Sequence, residues 1–376
     1  MCQQNSSIKK EDVLKMASFF YSMLALLTNY ANSMPDDEKT EETVKPTQEQ
    51  ELKNVTEETP PQSNITVTPV KNCSLRDLKR IERTLKNVQI YPATTRVEIN
   101  DRAIKKLFSF DYETYNRYRD GTPFNIVETL NHPKHGKITT PYSLISPFSD
   151  PLNEFDRAVL SVCTSEYLAG NQYTTVNIIF RALIGKVGQV SIRPRKHQKA
   201  AILHSIDKLM STVISFDTSE SFKLLNYKSC IKSVKSAILP CCHVEATING
   251  QTADVIFFDR LSPLFITANI KNQIVRFPSD LLDVPKQNNT SRLIAVKLYV
   301  MRRICEITSH KLSPTLTLDD IFSKCRIASL ANQIKADARN AILQLFQHLK
   351  LQHFISDFSL RKKERGNGFY GFSFSY

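Results

Sequence analysis

Basic and amide side chains gather in three short segments of this sequence, and together they could bind a polyanion. Lysine and arginine neutralise phosphates, whereas arginine, glutamine and asparagine form paired hydrogen bonds with the edges of nucleic acid bases. The residues are Arg193, Arg195, Lys196 and Lys199; Gln333, Lys335, Arg339 and Asn340; and Arg361, Lys362, Lys363 and Arg365. The alternative is that the first two clusters are solvated faces of amphipathic helices and the third is a basic hairpin loop without a ligand.

The charge of the chain also favours a polyanionic partner. Its 376 residues include 50 lysines and arginines against 37 aspartates and glutamates, which gives a net charge of +13. Residues 1–65 carry 6 basic and 11 acidic side chains, so the positive excess lies entirely in residues 66–376. A folded region this basic is an electrostatic match for nucleic acid. The alternative is a basic protein whose charges are scattered over its surface.

Hydrophobic patterns predict three helices followed by strands between residues 150 and 258. A period near four marks the helices, and the change to a period of two marks the strands. The predicted helices are 150–169, 174–183 and 194–211. The predicted strands are 213–216, 243–248 and 252–258, the last two flanking the hairpin turn signal Asn249-Gly250.

The same order recurs in residues 290–376. The predicted helices are 290–308, 318–325 and 331–350, and the predicted strands are 354–358 and 369–374. The first basic cluster therefore begins the third helix of the first set, and the second cluster lies on the polar side of the third helix of the second set. The third cluster lies in the loop of the last hairpin.

This repeated order predicts an α+β fold of two tandem winged-helix domains with an N-terminal extension. A winged helix is a helix-turn-helix followed by a β-hairpin wing, and its third helix enters the major groove of DNA. We expect the first domain over residues 140–285 and the second over residues 286–376. The twelve residues of the three clusters are the predicted DNA contacts.

The first 139 residues have a different character. We predict an apolar helix within residues 1–31, which could mediate self-association. Residues 32–70 are rich in proline and acidic groups and poor in large apolar ones, which predicts a disordered linker. Residues 71–139 are predicted to hold a helix and short strands, without an assigned role. A signal peptide is the alternative for residues 1–31; the acidic residues next to its lysines disfavour it, and the apolar run is short for a membrane span.

The eight cysteines are typical of reduced thiols in an intracellular protein, which predicts a cytoplasmic location. Cys241-Cys242-His243 is the one metal-like cluster in the sequence, with Cys230 upstream. Adjacent cysteines lack the spacing of structural zinc sites, so buried thiols are favoured over a metal.

The sequence holds no motif of a familiar enzyme class, so we predict that the protein is not an enzyme and needs no cofactor. It lacks a GxxxxGK[ST] phosphate-binding loop, a GxSxG nucleophile elbow and an HxH metal pair. Tyr112, Tyr115 and Tyr118 have a spacing that a nicking enzyme could use, but no metal site accompanies them. A nuclease remains an alternative that an assay on supercoiled DNA would test.

Several short segments are similar to those of a known family. They are Ser146-Pro147-Phe148, residues 155–160, residues 169–175, the helix over 192–210, the Asn249-Gly250 hairpin and residues 299–303. On these segments, residues 140–376 resemble the replication initiators of plasmids and other mobile elements, which have tandem winged helices. Residues 1–139 have no counterpart in that family.

The resemblance implies a function and partners that the residue patterns alone do not. It implies binding to double-stranded DNA at origin repeats, help in opening the origin, and recruitment of the host replicative helicase or its loader. A homodimer in exchange with the monomer would fit that family, and the shortness of the apolar run separately predicts no association with a membrane. The first alternative is a winged-helix transcriptional regulator that acts on a promoter without replication activity. The second is a structural protein whose winged helices bind another protein.

Overall fold

The computed structural model describes residues 65–88, 90–100, 102–109, 123–132, 135–219, 223, 233–248, 250–285, 288–362 and 369–376. The apolar helix predicted in residues 1–31, most of the predicted linker, and Tyr112, Tyr115 and Tyr118 lie outside these residues. The described chain combines helices with antiparallel sheets, which confirms the predicted mixture of α and β structure. Among the described residues, no helix combines the length and the apolar character that a membrane span requires.

The described chain contains both helices and strands, in an irregular order. The helices are α1 (Leu75–Asn87), α2 (Arg102–Leu107), α3 (Glu154–Leu168), α4 (Val176–Leu183), α5 (Lys196–Ser211), α6 (Pro263–Ile270), α7 (Ser291–His310), α8 (Leu318–Lys324) and α9 (Asn332–Leu351), with a 3-10 turn at Ser279–Leu282. The strands are β1 (Ile65–Lys71), β2 (Thr95–Ile99), β3 (Phe124–His132), β4 (Gly136–Ile145), β5 (Tyr173–Thr175), β6 (Val213–Asp217), β7 (Ser233–Ala237), β8 (Cys241–Ile248), β9 (Gln251–Phe258), β10 (Ile274–Pro278), β11 (Thr315–Thr317), β12 (Asp357–Lys362) and β13 (Phe369–Ser375).

Two parts of the chain repeat one arrangement. The first module runs from α3 to β9 and the second from α7 to β13. Each has a helix, a three-residue strand, a short helix, a long helix and a hairpin. In each module the three-residue strand pairs antiparallel with the second hairpin strand, β5 with β9 and β11 with β13. The predicted repeat of three helices and a hairpin is therefore present, with a short strand that the sequence patterns did not show.

A threonine ends the short strand and begins the short helix in both modules. The Thr175 hydroxyl accepts a hydrogen bond from the backbone N–H of Ile178 at 3.3 Å, and Thr317 does the same for Asp320 at 3.3 Å. A hydroxyl at this position satisfies a backbone donor that the first helical turn leaves free. The same local chemistry therefore sets the strand-to-helix junction twice.

The start of α3 differs from the prediction. The helix begins at Glu154 rather than at residue 150, because Asn153 caps it: its side chain accepts hydrogen bonds from the N–H groups of Phe155 and Asp156. Asp156 reciprocates by accepting from the Asn153 N–H at 2.8 Å, which completes a capping box.

The first module contains an insertion between α5 and its hairpin. The strand predicted at 213–216 is β6, but it does not belong to the hairpin sheet. It lies between β4 and β7 in a sheet of order β3-β4-β6-β7. The β3–β4 hairpin spans residues 124–145, so it crosses the domain boundary predicted at residue 140. Of the two strands that pair with β6, β4 lies about 70 residues away in the sequence, and local periodicity carries no signal for that pairing.

Strand β1 corrects the expected end of the disordered linker. Residues 65–70 are not irregular; they form the edge of the sheet β1-β8-β9-β5, paired antiparallel with β8. Ile65 and Val67 alternate with exposed residues and pack against the apolar residues of β8 and β9, as expected for a half-buried strand. Pro69 lies at the irregularity in this pairing. Proline has no backbone N–H to donate to a neighbouring strand, so it is compatible with an edge strand.

The first helices of the two modules, α3 and α7, pack against each other. Buried ion pairs accompany the apolar contacts there: Arg302 of α7 donates to Glu154 of α3 at 2.8 Å, and Arg96 of β2 donates to Glu98 at 3.1 Å. All four side chains are almost fully buried. The two modules therefore share a continuous core that contains paired charges.

Candidate nucleic-acid interface

The first basic cluster lies at the start of α5. Arg193 precedes the helix, Arg195 occupies its N-cap position and Lys196 is its first residue, and all three are exposed. Lys199 is also exposed, but its ammonium group forms an ion pair with Asp254 of β9 at 2.5 Å. Three of the four predicted residues therefore present their charge to solvent, while the fourth links the helix to the hairpin.

The start of α5 is held by the chain that leads into the second module. The Arg195 backbone N–H donates to the side-chain oxygen of Gln198 at 2.8 Å, and the Gln198 amide donates to the Asn289 carbonyl at 2.7 Å. Arg195 and Lys196 thus lie on a turn that is stabilised from within the first module and by the segment that precedes the second.

Beyond its first turns, α5 becomes part of the core. Ile202, Ile206 and Leu209 are buried. Lys208 is 1% exposed, and its ammonium group forms ion pairs with Asp156 at 2.6 Å and Asp150 at 2.8 Å. Only the N-terminal part of this helix offers several neighbouring exposed side chains, which is the part that a recognition helix uses for base contacts.

The second cluster lies on the first half of α9, with unequal exposure. Gln333 and Asn340 are exposed, whereas Lys335 and Arg339 are half-buried. The Gln333 amide donates to Asp337 one turn later at 3.0 Å. The Arg339 guanidinium lies over the ring of Phe369, 5.7 Å from its centroid. Arg339 therefore packs α9 against the hairpin and is not simply a free surface charge.

The third cluster is only partly within the described residues. Arg361 on β12 is half-buried, with its guanidinium 5.1 Å from the centroid of the Tyr370 ring. Lys362 is exposed and lies at an irregularity in the pairing of β12 with β13. Lys363 and Arg365 lie outside the described residues. Arg339 and Arg361 thus both contact aromatic residues of β13, Phe369 and Tyr370, so the second and third clusters both lie beside this strand.

Sequence patterns understated the polar surface of α9. Gln344 is exposed together with Gln333, Asn340 and Gln347, so an amide-rich stripe follows this helix over several turns. Spacings of three and four residues place side chains on one helical face, and this spacing is the signal that could have identified Gln344. Amide side chains can pair with adenine, and the carboxylate of Asp337 on the same face can accept from cytosine.

The cysteine cluster has a packing role. Cys241 and Cys242 are buried free thiols at the start of β8, and burial raises the pKa of Cys241 well above its usual value. His243 faces Asp254, with its Nε2 atom 3.1 Å from the carboxylate. Among the described residues, no group of three or more His, Cys, Asp or Glu side chains is arranged to hold a metal ion.

Comparisons with known proteins give distant structural likenesses. No protein-family model matches the chain, and no curated protein matches it. A crystal structure of RctB domains 2 and 3 is 13% identical, covering 72% of this chain and 94% of that one, with a TM-score of 0.36. A selenomethionine derivative of the same two domains is 13% identical over 69% of this chain and 91% of that one, with a TM-score of 0.33. Structural likenesses at this level of sequence identity and TM-score do not indicate a function.

Proposed function

We propose that both modules are winged helices and that the chain is a non-enzymatic protein that binds double-stranded DNA sequence-specifically. The observation that carries this proposal is the repeated module, in which a long third helix with exposed polar residues is followed by a hairpin. That order is the architecture of a helix-turn-helix with a wing. The pairing of β5 with β9 and of β11 with β13 supports it, because it joins the helical part to the hairpin in both modules.

In this proposal α9 lies in the major groove. Its amide stripe, with Gln333 and Asn340, contacts base edges, and Lys335 contributes to phosphate binding. Arg361 and Lys362 bring positive charge along the hairpin toward the adjacent backbone, together with Lys363 and Arg365. In the first module, Arg193, Arg195 and Lys196 make the corresponding contacts from the start of α5, whereas Lys199 contributes by holding the helix to the hairpin.

Within that function, we place the protein among the replication initiators of plasmids or mobile elements. This step is supported by the resemblance of residues 140–376 to that family. Two DNA-binding modules in one chain also suit a site built from short repeats. The protein would bind origin repeats in the cytoplasm, as a monomer or homodimer, help to open the origin, and recruit the host replicative helicase or its loader.

Binding of the purified chain to labelled duplex DNA from the region around its own gene, across a salt series, tests the proposal. We expect tight, salt-dependent binding confined to a fragment that carries direct repeats beside an AT-rich stretch. Tight binding to one inverted repeat over a promoter would instead indicate a transcriptional regulator, because dimer symmetry maps onto palindromes. Weak binding to all fragments, or none, would contradict sequence-specific DNA binding.

Variants of α9 separate its two proposed roles. Replacing Lys335 and Arg339 with alanine should weaken binding to every sequence, and the slope of log affinity against log salt should fall by roughly one per lost phosphate contact. Replacing Gln333 and Asn340 with alanine should reduce discrimination between cognate and altered sites while leaving that slope unchanged. The matched control is Lys137→Ala with Lys235→Ala, two exposed lysines of the β3-β4-β6-β7 sheet. An unchanged affinity and slope in a folded Lys335/Arg339 variant would exclude α9 as a recognition helix.

A further inference from the structure

A cavity with an excess of positive charge lies where the two modules meet. It has a volume of about 230 Å³ and is bordered by residues of α2, α3, α7 and α8. Five cationic side chains line it: Lys105, Arg157, Arg302, Arg303 and Lys324. The acidic side chains that line it are Glu154 and Asp320. None of these cations belongs to the three clusters proposed to contact DNA.

Both acidic groups of the cavity already have partners. Glu154 accepts a hydrogen bond from Arg302 at 2.8 Å. Asp320 accepts from the Tyr299 hydroxyl at 2.6 Å. Glu306, just outside the cavity lining, pairs with both Lys105 and Arg303. These carboxylates leave the cavity with more cationic groups than anionic ones.

Arg157 has hydrogen-bonding capacity that the protein does not use. Its side chain is 2% exposed, and one amino group donates to the Ile99 carbonyl. Its other amino group, Nη1, lies 3.7 Å from Glu154, beyond hydrogen-bond distance. Among the described residues, neither Nη1 nor Nε of Arg157 has a hydrogen-bond acceptor, and the same holds for Nε of Arg302. Buried donors without acceptors are unfavourable and rare in folded proteins.

Neighbouring cations repel Arg157 and Lys105, whereas at Arg302 the effect of burial is outweighed by the charges of Glu154 and Glu98, which raise its pKa. Burial and the neighbouring charge of Arg302 lower the pKa of Arg157 to about 10. Burial lowers the pKa of Lys105, and Arg157 and Arg303 act in the same direction. A ligand with negative charge in the cavity would relieve this repulsion, and its oxygens could accept hydrogen bonds from the cationic side chains that line it.

We propose that this cavity binds a small phosphate-bearing anion. Guanidinium groups match the geometry of phosphate oxygens, and charge-assisted hydrogen bonds to phosphate are among the strongest in proteins. Arg157 and Arg302 are too deeply buried to meet the backbone of a duplex, which favours a free small molecule as the ligand. Arg303 is half-buried and Lys324 is exposed, so they mark the solvent side of the cavity.

Such a ligand would join the two modules. Arg157 belongs to the first module, whereas Arg302, Arg303 and Lys324 belong to the second. An anion held by both sets of cations stabilises the contact between α3 and α7 and so the relative placement of the two long helices. A ligand that binds the folded chain alone also raises its thermal stability.

Inorganic phosphate is the probe, used with the full chain. Calorimetry and thermal melting in sodium phosphate, compared with sodium chloride at matched ionic strength, should give saturable binding and a melting midpoint raised by several degrees. Arg303→Gln with Lys324→Gln should weaken phosphate binding at least tenfold, whereas Lys137→Gln should leave it unchanged. Lys324→Gln alone, at an exposed position, should weaken it several-fold and serves if the double variant does not fold. The proposal would be overturned if phosphate did not bind at a concentration on the order of 10 mM. It would also be overturned if these variants bound phosphate as tightly as the unchanged chain.

A second arm separates the cavity from the DNA-binding surface. The variant with alanine at Lys335 and Arg339 should retain the whole effect of phosphate, because those side chains lie outside the cavity. Loss of the phosphate effect in that variant would assign the anion to the DNA surface and contradict the cavity as its site. The phosphate measurement contains no DNA, so its result does not depend on the proposed origin binding.

Discussion

The two modules share one topology but differ in how much of the third helix reaches solvent. In the first, α5 is exposed mainly in its first turns and then carries Ile202, Ile206 and the ion-paired Lys208 into the core. In the second, α9 keeps a polar stripe from Gln333 to Gln347. The same order of elements thus gives one helix that is largely buried and one that keeps a long exposed polar face.

The hairpins of the two modules also differ in how much neighbouring structure covers them. Strand β8 of the first module has β1 on its outer side, whereas β12 forms the edge of its sheet among the described strands. The sheet β3-β4-β6-β7, which includes the two strands inserted in the first module, β6 and β7, has no counterpart in the second module among the described residues. The first module is therefore surrounded by added structure, and the second keeps both its helix and its hairpin accessible. Topology alone therefore does not determine which surface of a module is accessible to a ligand.

The largest difference between the two long helices should appear in the free energy of unfolding, when the buried ammonium group of Lys208 on α5 is removed. Lys208→Met leaves Asp156 buried without its ammonium partner, which should lower the free energy of unfolding by about 3–5 kcal/mol. The matched change on α9 is Lys350→Met, at an exposed position, which should have little effect. Thermal and urea unfolding measure both. Equal losses in the two variants would contradict the distinction between a buried and an exposed helix.

A glycine in the second module should be the next most sensitive position. A Cβ atom at Gly371 of β13 would lie 2.4 Å from the Leu316 carbonyl oxygen, so alanine forces β11 and β13 apart. We expect Gly371→Ala to cost about 1–3 kcal/mol, as overpacking does. Gly188→Ala is the control, because nothing lies within 4 Å of a Cβ there. Unchanged unfolding of Gly371→Ala would show that this strand pairing contributes little.

The first module should contribute less to DNA binding, and only through the start of α5. Replacing Arg195 and Lys196 with alanine should reduce the salt slope by about two and affinity roughly tenfold, which corresponds to about 1.4 kcal/mol. Thermal stability should stay the same because both side chains are exposed. If duplex affinity and slope do not change, the first module does not touch DNA and serves as a scaffold for the second.

The smallest effects should be the same in both modules. Thr175→Ala and Thr317→Ala each remove a helix-capping hydroxyl and should cost about 1 kcal/mol. Thr175→Ser and Thr317→Ser keep the hydroxyl and should restore most of the loss. Melting of the four variants measures this. A marked inequality between the two alanine variants would mean that the surroundings, rather than the shared cap, dominate this junction.

Much of the helical structure could be predicted from local patterns. The helix predicted over 331–350 is Asn332–Leu351, and the one over 194–211 is Lys196–Ser211. Hydrophobic spacing and capping residues act within a few positions of the chain, so the sequence carries them directly. The strand predicted at 354–358 starts only at Asp357, because α9 continues through Leu351 and a turn follows.

Strand pairing could be predicted much less well. The three-residue strands β5 and β11 are too short to show a period, and each is stabilised by a partner strand that lies far along the chain, such as Thr317 paired with Gly371. Strand β1 was assigned to a linker because its neighbours are polar and rich in proline, yet its partner β8 lies far along the chain. Pairing between distant segments depends on the packed fold, which no local window contains.

Composition and local spacing alone account for the positive charge of residues 66–376, the two sets of three helices, and the basic residues at the start of α5 and in the first half of α9. These properties depend on composition and on spacing along the chain. Tertiary structure decided which of those residues face solvent: it paired Lys199 with Asp254, placed Arg339 against Phe369, and left the amide stripe of α9 exposed. It also brought Lys105, Arg157, Arg302, Arg303 and Lys324 to one cavity. Burial and charge proximity arise from contacts between segments that are distant in sequence, so only the folded chain determines them.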